Sequence, residues 1–223
     1  MCRSWRGNHT WSGFRSSSIG KIWGGVYGLD AAFSRLKVGK NFLDNHFKFK
    51  DMKLIMGDML NMPIANDSCD IVYTVHVCEP NGENEEKIIQ ELLRVTGKYL
   101  ILFEPAYDLA TEEAKRRMEY HGYVTRLYDV ITEMKLDVVE HRLLGISRNE
   151  LNPTGVTVIR KNNSKTNKMG VIADPISRKI CVEYDHCYWS AETMLLYPKI
   201  DGIACMLEEN AIVATKYGDI RQL

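Results

Sequence analysis

Apolar and polar positions alternate along this chain in two rhythms. Asp70-Ile71-Val72-Tyr73-Thr74-Val75 is a β-branched and aromatic run behind the turn cluster Ala65-Asn66-Asp67-Ser68, a pattern that predicts a strand. Over 84–95 the spacing changes: Ile88, Ile89, Leu92, Leu93 and Val95 fall along one side of a helix, with Glu and Lys opposite. Gly97 predicts the helix stop, and 98–103 is a second apolar run suited to a buried strand. Strand, crossover helix and strand make a βαβ unit, hence a parallel sheet in an α/β domain.

The same rhythms extend both ways. Residues 25–30 read as a strand ending in Asp30, 31–42 as a helix, and 53–56 as the next strand. Beyond Pro105, a helix over about 109–120 starts with Thr111 as N-cap and acids in its first turn, and another spans about 124–135. Residues 136–144 and 154–160 predict a closing pair of strands. Residues 1–24, rich in Ser, Gly, Arg and Trp, hold no apolar run of strand length and predict irregular structure. The polar stretch 162–169 predicts a linker. The organisation expected is therefore 1–24 irregular, a main domain over 25–161, the linker, and a small β-rich domain over 170–223.

Composition narrows the classes. The 223 residues carry no formal net charge, so no global field draws the chain to nucleic acid or an anionic membrane, and nucleic acid is not expected as a partner. No apolar run approaches the roughly 20 residues of a membrane helix, and the N-terminus lacks the apolar core of a signal peptide. Six cysteines are scattered without a CxxC pair, which predicts buried cytoplasmic thiols. Cys181, His186 and Cys187 do not have the spacing tetrahedral zinc prefers, and no metal is expected.

The block Gly57-Asp58-Met59-Leu60-Asn61-Met62-Pro63, then Asp67-Ser68-Cys69-Asp70-Ile71-Val72-Tyr73, resembles the third- and fourth-strand region of class I S-adenosylmethionine-dependent methyltransferases. Glu91-Leu92-Leu93-Arg94-Val95 and Tyr99-Leu100-Ile101-Leu102-Phe103-Glu104-Pro105 resemble the helix and fifth strand that follow in that family. The resemblance runs from about Val26 to about Arg160. It implies a Rossmann-like sheet, S-adenosylmethionine as cofactor and a small-molecule substrate. It implies that Asp30 grips the ribose diol, that Asp58 and Met59 meet the adenine, and that Thr74 lines the cofactor. His76, in the loop after strand four, is the candidate general base; packing of its ring between Tyr73 and the next helix is the alternative. Glu79 lies in the same loop, and Glu104 follows strand five.

The family's apolar first strand and G-x-G-x-G turn have no counterpart here. The sheet is expected to lack a clear first strand, with 1–24 a remnant of the cofactor-loop region. The cofactor site is then damaged, so an active methyltransferase and a non-catalytic methyltransferase-like binding or scaffold protein both remain open. Tyr197-Pro198-Lys199-Ile200-Asp201-Gly202-Ile203-Ala204-Cys205-Met206-Leu207 resembles the end of a zinc-ribbon-like domain found with some methyltransferases, including the activator subunit of tRNA and protein methyltransferases. Here Ala173-Asp174-Pro175-Ile176-Ser177 stands where that domain has its first thiol pair, and a protein partner through this domain is implied. Arg116-Arg117-Met118-Glu119-Tyr120-His121-Gly122-Tyr123 reads either as a lid or anionic-substrate site or as a solvated helix end capped by Gly122.

Overall fold

The computed structural model describes residues 12–15, 25–46, 52–145, 149–161 and 171–220. Among these, twelve strands join in one sheet, and its main path is β6-β7-β5-β4-β1-β2-β3-β11-β10-β9-β8. In chain order the elements are β1 (Ser12–Arg15), β2 (Val26–Asp30), α1 (Phe33–His46), β3 (Met52–Met56), β4 (Cys69–Val75), α2 (Glu85–Val95), β5 (Thr96–Pro105), α3 (Glu112–His121), α4 (Leu127–Glu133), β6 (Asp137–Leu143) and β7 (Thr154–Arg160). They continue with β8 (Val182–Glu183), β9 (Cys187–Ser190), β10 (Leu195–Ile200), β11 (Ile203–Cys205), β12 (Ile212–Val213) and α5 (Tyr217–Ile220). The α/β sheet and the β-rich C-terminal region match the sequence expectation. The linker at 162–169 lies outside the described residues.

The βαβ core forms as the periodicity requires. α2 turns Ile88, Ile89, Leu92 and Val95 inward, each with almost no exposure, against Val72, Leu100 and Leu102 of the strands. Burial of each such aliphatic side chain stabilises by about 1.5–3 kcal/mol. β4 and β5 pair in parallel, and β7 then runs antiparallel to β5. Gly97 is not the helix stop. Thr96 caps α2 in extended conformation, its hydroxyl and its N–H both donating to the Leu92 carbonyl, so the chain passes straight into β5.

Two features depart from the expected layout. β1 fills the place between β2 and β4 that the sequence leaves without a strand, but it runs antiparallel to both neighbours. Ser-Gly-Phe-Arg has one apolar residue, Phe14, and no apolar run; its pairing comes from the unsatisfied N–H and C=O groups that β2 and β4 offer on either side. Ser12 lies opposite Leu29 and Arg15 opposite Val26, so β1 enters at the edge where β2 ends and leaves at the other. The remainder of the expected irregular segment, 1–11 and 16–24, lies outside the described residues.

The second departure is the C-terminal region, which is continuous with the main sheet. β11 adds to the edge of β3 in parallel, Ala204 opposite Ile55 and Cys205 opposite Met56. Arg178 reaches across to Glu91 at 2.9 Å, where Arg94 also binds, and Ile172 bridges Ile64. The edge of β3 is thus covered by the chain itself. At the heart of this region Asp174 is fully buried. Its Oδ1 accepts from Ile176 N–H and Tyr197 O–H, both at 2.9 Å, and its Oδ2 from Ser177, Ser190 and Thr193 hydroxyls at 2.9, 2.7 and 2.6 Å. Burial opposes the charge, but these donors outweigh it and hold the carboxyl below its ordinary range.

Candidate functional site

Parallel strands deliver their C-terminal ends to one edge of the sheet, and loops there are placed to bind ligands. β2 ends at Asp30, paired across the ladder with Met56, the last residue of β3. The Asp30 carbonyl accepts the Gly57 N–H at 3.2 Å, so Asp58 follows directly on the neighbouring strand end. The approach needs glycine: a Cβ on Gly57 would lie 2.9 Å from Pro63 Cδ and 3.2 Å from Leu29 Cδ1. Asp58 is exposed and accepts the Leu60 N–H at 2.9 Å, while Met59 packs against the main core and meets Asn81 Nδ2 at 3.7 Å. Asp30, Asp58 and Met59 therefore share one edge on adjacent strands.

The Asp30 carboxylate is already engaged. Oδ1 accepts from Ala32 N–H at 2.7 Å and from Arg35 Nε and Nη2 at 3.0 and 2.6 Å; Oδ2 accepts from Arg35 Nε at 2.9 Å. The Ala32 contact fixes the chain's turn into α1. Arg35 was not legible as a site residue; its one signal is a cation five positions after a strand-terminal acid.

Thr74 faces the interior. It is fully buried, and its hydroxyl hydrogen-bonds the Glu104 carboxylate. Glu104, itself buried, also accepts from Val77 N–H at 3.0 Å and Cys78 N–H at 3.1 Å, which pins the loop after β4 onto the end of β5. Burial nonetheless pushes the Glu104 carboxyl above its usual range.

His76 stands at the head of that loop with φ 51°, a left-handed backbone unusual for a residue with a Cβ. Its Nδ1 meets Glu79 Oε2 at 2.6 Å and its Nε2 meets Thr154 Oγ1 at 2.8 Å, so the ring bridges the β4 loop to the start of β7. The hydrogen bond to Glu79 raises the imidazole pKa despite burial, helped by the charge of Glu104. Glu79 is buried too, and its other oxygen accepts from Asn152 Nδ2 at 3.2 Å. Carboxylate, imidazole and hydroxyl in this order can hold and pass a proton. Thr154 and Asn152 were missed because the start of β7 and the loop before it carry no chemical pattern of their own.

Next to Glu104, a small cleft open to solvent is lined by Tyr107, Asp108, Tyr128, His141 and Thr157 among others. The His141 ring stacks on Tyr128 with centroids 3.6 Å apart. Its nitrogens meet Thr157 Oγ1 at 2.9 Å and Asp108 Oδ2 at 2.7 Å, so both are taken. The run 116–123 ends α3 in a left-handed Gly122, φ 66°, as a helix end would. There Arg117 lies over the Tyr123 ring and bonds the Leu151 carbonyl.

Five cysteines, Cys69, Cys78, Cys181, Cys187 and Cys205, are buried and free, and burial pushes Cys69 and Cys181 up to about 12. Among the described residues no three His, Cys, Asp or Glu side chains converge as a metal site. No helix among them is long and apolar enough to cross a membrane.

The residues present fit one half of S-adenosylmethionine. Asp30 Oδ2, with a single donor, and the exposed Asp58 carboxylate have room to accept from a nucleoside. Among the described residues no such cradle faces the sulfonium half: β1 begins at this edge and runs away from it, and the sequence carries no G-x-G-x-G turn.

A family model described as a methyltransferase domain matches residues 12–101, which bears out the resemblance over that segment. No curated protein matches the chain. Among solved structures, an S-adenosylmethionine-dependent methyltransferase from Methanosarcina mazei is 14% identical, with 61% of this chain and 82% of that one covered at a TM-score of 0.47. Magnesium protoporphyrin IX methyltransferase from Synechocystis PCC 6803, with bound S-adenosylhomocysteine, is 11% identical, with 61% and 64% covered and a TM-score of 0.48. An S-adenosylmethionine-dependent methyltransferase from Aquifex aeolicus is 13% identical, with 60% and 67% covered and a TM-score of 0.47.

Proposed function

We propose that this chain binds S-adenosylmethionine at the β2–β3 end of the sheet and transfers its methyl group to a small-molecule acceptor. The observation that carries the reading is the seating of Asp30 and Asp58 on adjacent parallel strand ends, inside the segment that matches the methyltransferase family. Asp30 accepts from the ribose hydroxyls, Asp58 from the adenine amine, and Met59 offers the base an apolar face. Thr74 acts through Glu104, holding the β4 loop in place. When bound, the donor supplies an activated methyl group. His76 takes the acceptor's proton through Thr154, and Glu79 stabilises the imidazolium that results.

Isothermal titration with S-adenosylmethionine tests the first half, with micromolar affinity expected and at least a roughly tenfold loss in Asp30→Ala. Heat-silent titrations at high micromolar protein, together with no competition by S-adenosylhomocysteine, would end it. The direction of β1 favours a second reading, a non-catalytic binding protein that keeps the nucleoside half. Tritium-labelled donor incubated with a small-molecule extract separates the two: labelled product belongs to the enzyme, and binding without product to the second reading. A protein partner for the C-terminal region belongs with the second reading too, although β11 is committed to β3.

A further inference from the structure

We propose that Arg35 competes with the ribose diol for the Asp30 carboxylate, so that the free protein holds its own nucleoside site partly closed. This rests on the nucleoside reading of Asp30 given above. A carboxylate grips a diol by accepting one hydroxyl on each oxygen, and each oxygen has about two acceptor positions. Oδ2 has a vacancy, with only Arg35 Nε at 2.9 Å. Oδ1 is full, with Ala32 N–H at 2.7 Å and Arg35 Nη2 at 2.6 Å, and at 3.0 Å it also shares the one Nε hydrogen.

A ribose hydroxyl enters at Oδ1 only when one of these donors leaves. The Ala32 N–H belongs to the backbone turn that starts α1 and stays. The guanidinium sits at the end of a flexible stem with 40% of its side chain exposed, while that of Asp30 has 11%, so Arg35 is the donor that yields. Binding then exchanges an internal charge-assisted pair for the diol, and affinity falls by whatever the pair was worth. Between a screened pair and a charge-assisted hydrogen bond, that is about 3- to 30-fold.

The test is calorimetry of wild type, Arg35→Ala and Arg35→Lys with adenosine, 2′-deoxyadenosine and S-adenosylhomocysteine, all without net charge. Thermal unfolding establishes that each variant is folded. Arg35→Ala is expected to bind adenosine and S-adenosylhomocysteine about 3- to 30-fold more tightly, with no gain for 2′-deoxyadenosine, which has no diol. Arg35→Lys, which keeps the charge but not the two-nitrogen contact, falls between. A variant that binds where wild type is silent also supports competition. Equal gains for both nucleosides, or unchanged or weaker adenosine binding in Arg35→Ala, overturn it. If wild type still binds S-adenosylhomocysteine in that case, the donor reading survives without the competition; if no protein binds any of the three, both fall.

Discussion

Asp30 and Asp174 are both shielded carboxylates surrounded by hydrogen-bond donors, yet they sit in different kinds of surroundings. All five donors around Asp174 are neutral groups of the fold, one backbone N–H and four hydroxyls, drawn from the turn at 174–177, the end of β9, the turn that follows and β10. Asp30 has one backbone donor and a single, partly exposed cation. A carboxylate whose donors have nowhere else to go is part of the architecture. One whose main donor can turn to water is available to a ligand. Glu91 stands between these cases, with two guanidinium groups and the Met62 N–H on a buried carboxylate that ties the C-terminal region to α2.

The sharpest contrast should come from removal of each acid. Asp174→Ala leaves the buried Ser190 and Tyr197 hydroxyls without an acceptor and frees the half-buried Ser177 and Thr193, and we expect a loss of about 3–4 kcal/mol in urea unfolding. A loss under about 1 kcal/mol would remove the architectural claim. Glu91→Ala should cost about 2–3 kcal/mol, less than a fully buried pair because Arg178 is one-third exposed.

Both acids also set a pH dependence. At each, burial raises the carboxyl, but the hydrogen bonds prevail and the net shift is downward. The folded pKa then lies below the unfolded one. The unfolded chain binds more protons in the window between, and stability present above the unfolded value drains as pH falls through the folded value. Unfolding free energy should therefore drop below about pH 4, with a shallower slope in Asp174→Asn; equal slopes in both proteins would contradict this.

Asp30→Ala should do the reverse of Asp174→Ala, with a stability change of no more than about 1 kcal/mol, the worth of a cap, and a roughly tenfold or greater loss of nucleoside affinity. The smallest effect concerns His76. Glu79→Gln replaces the charged acceptor that raises the imidazole with a neutral one, so its NMR titration midpoint should fall toward the ordinary value. Because the folded pKa is raised, the stability linked to this pair is present below the unfolded value and lost as pH rises through the folded one. An unmoved midpoint would assign the shift elsewhere.

What the sequence revealed follows the range of the forces involved. β4, α2, β5 and β7 were legible because their cores are local patterns of apolar residues, and Thr111 and Gly122 because caps have chemical signatures. The end of α2 was misread, since Thr96 supplies side-chain and backbone donors to Leu92 and leaves Gly97 as a buried strand position. β1 was not legible because its four residues gain strand structure only from two partners distant in sequence. The same holds for β11 on β3. Asp30 and Asp58 came from the family resemblance together with their places after strands, but the guanidinium on Asp30, the hydroxyl of Thr154 on His76 and the inward turn of Thr74 depend on side-chain direction, which no spacing reveals.

The most direct test of a shared nucleoside pocket is a titration with S-adenosylhomocysteine followed by amide NMR. Ala32 N–H reports the Asp30 carboxylate and Leu60 N–H reports that of Asp58. Both resonances should shift along one saturation curve with a single micromolar midpoint. Movement of one without the other, or different midpoints for the two, would contradict the account.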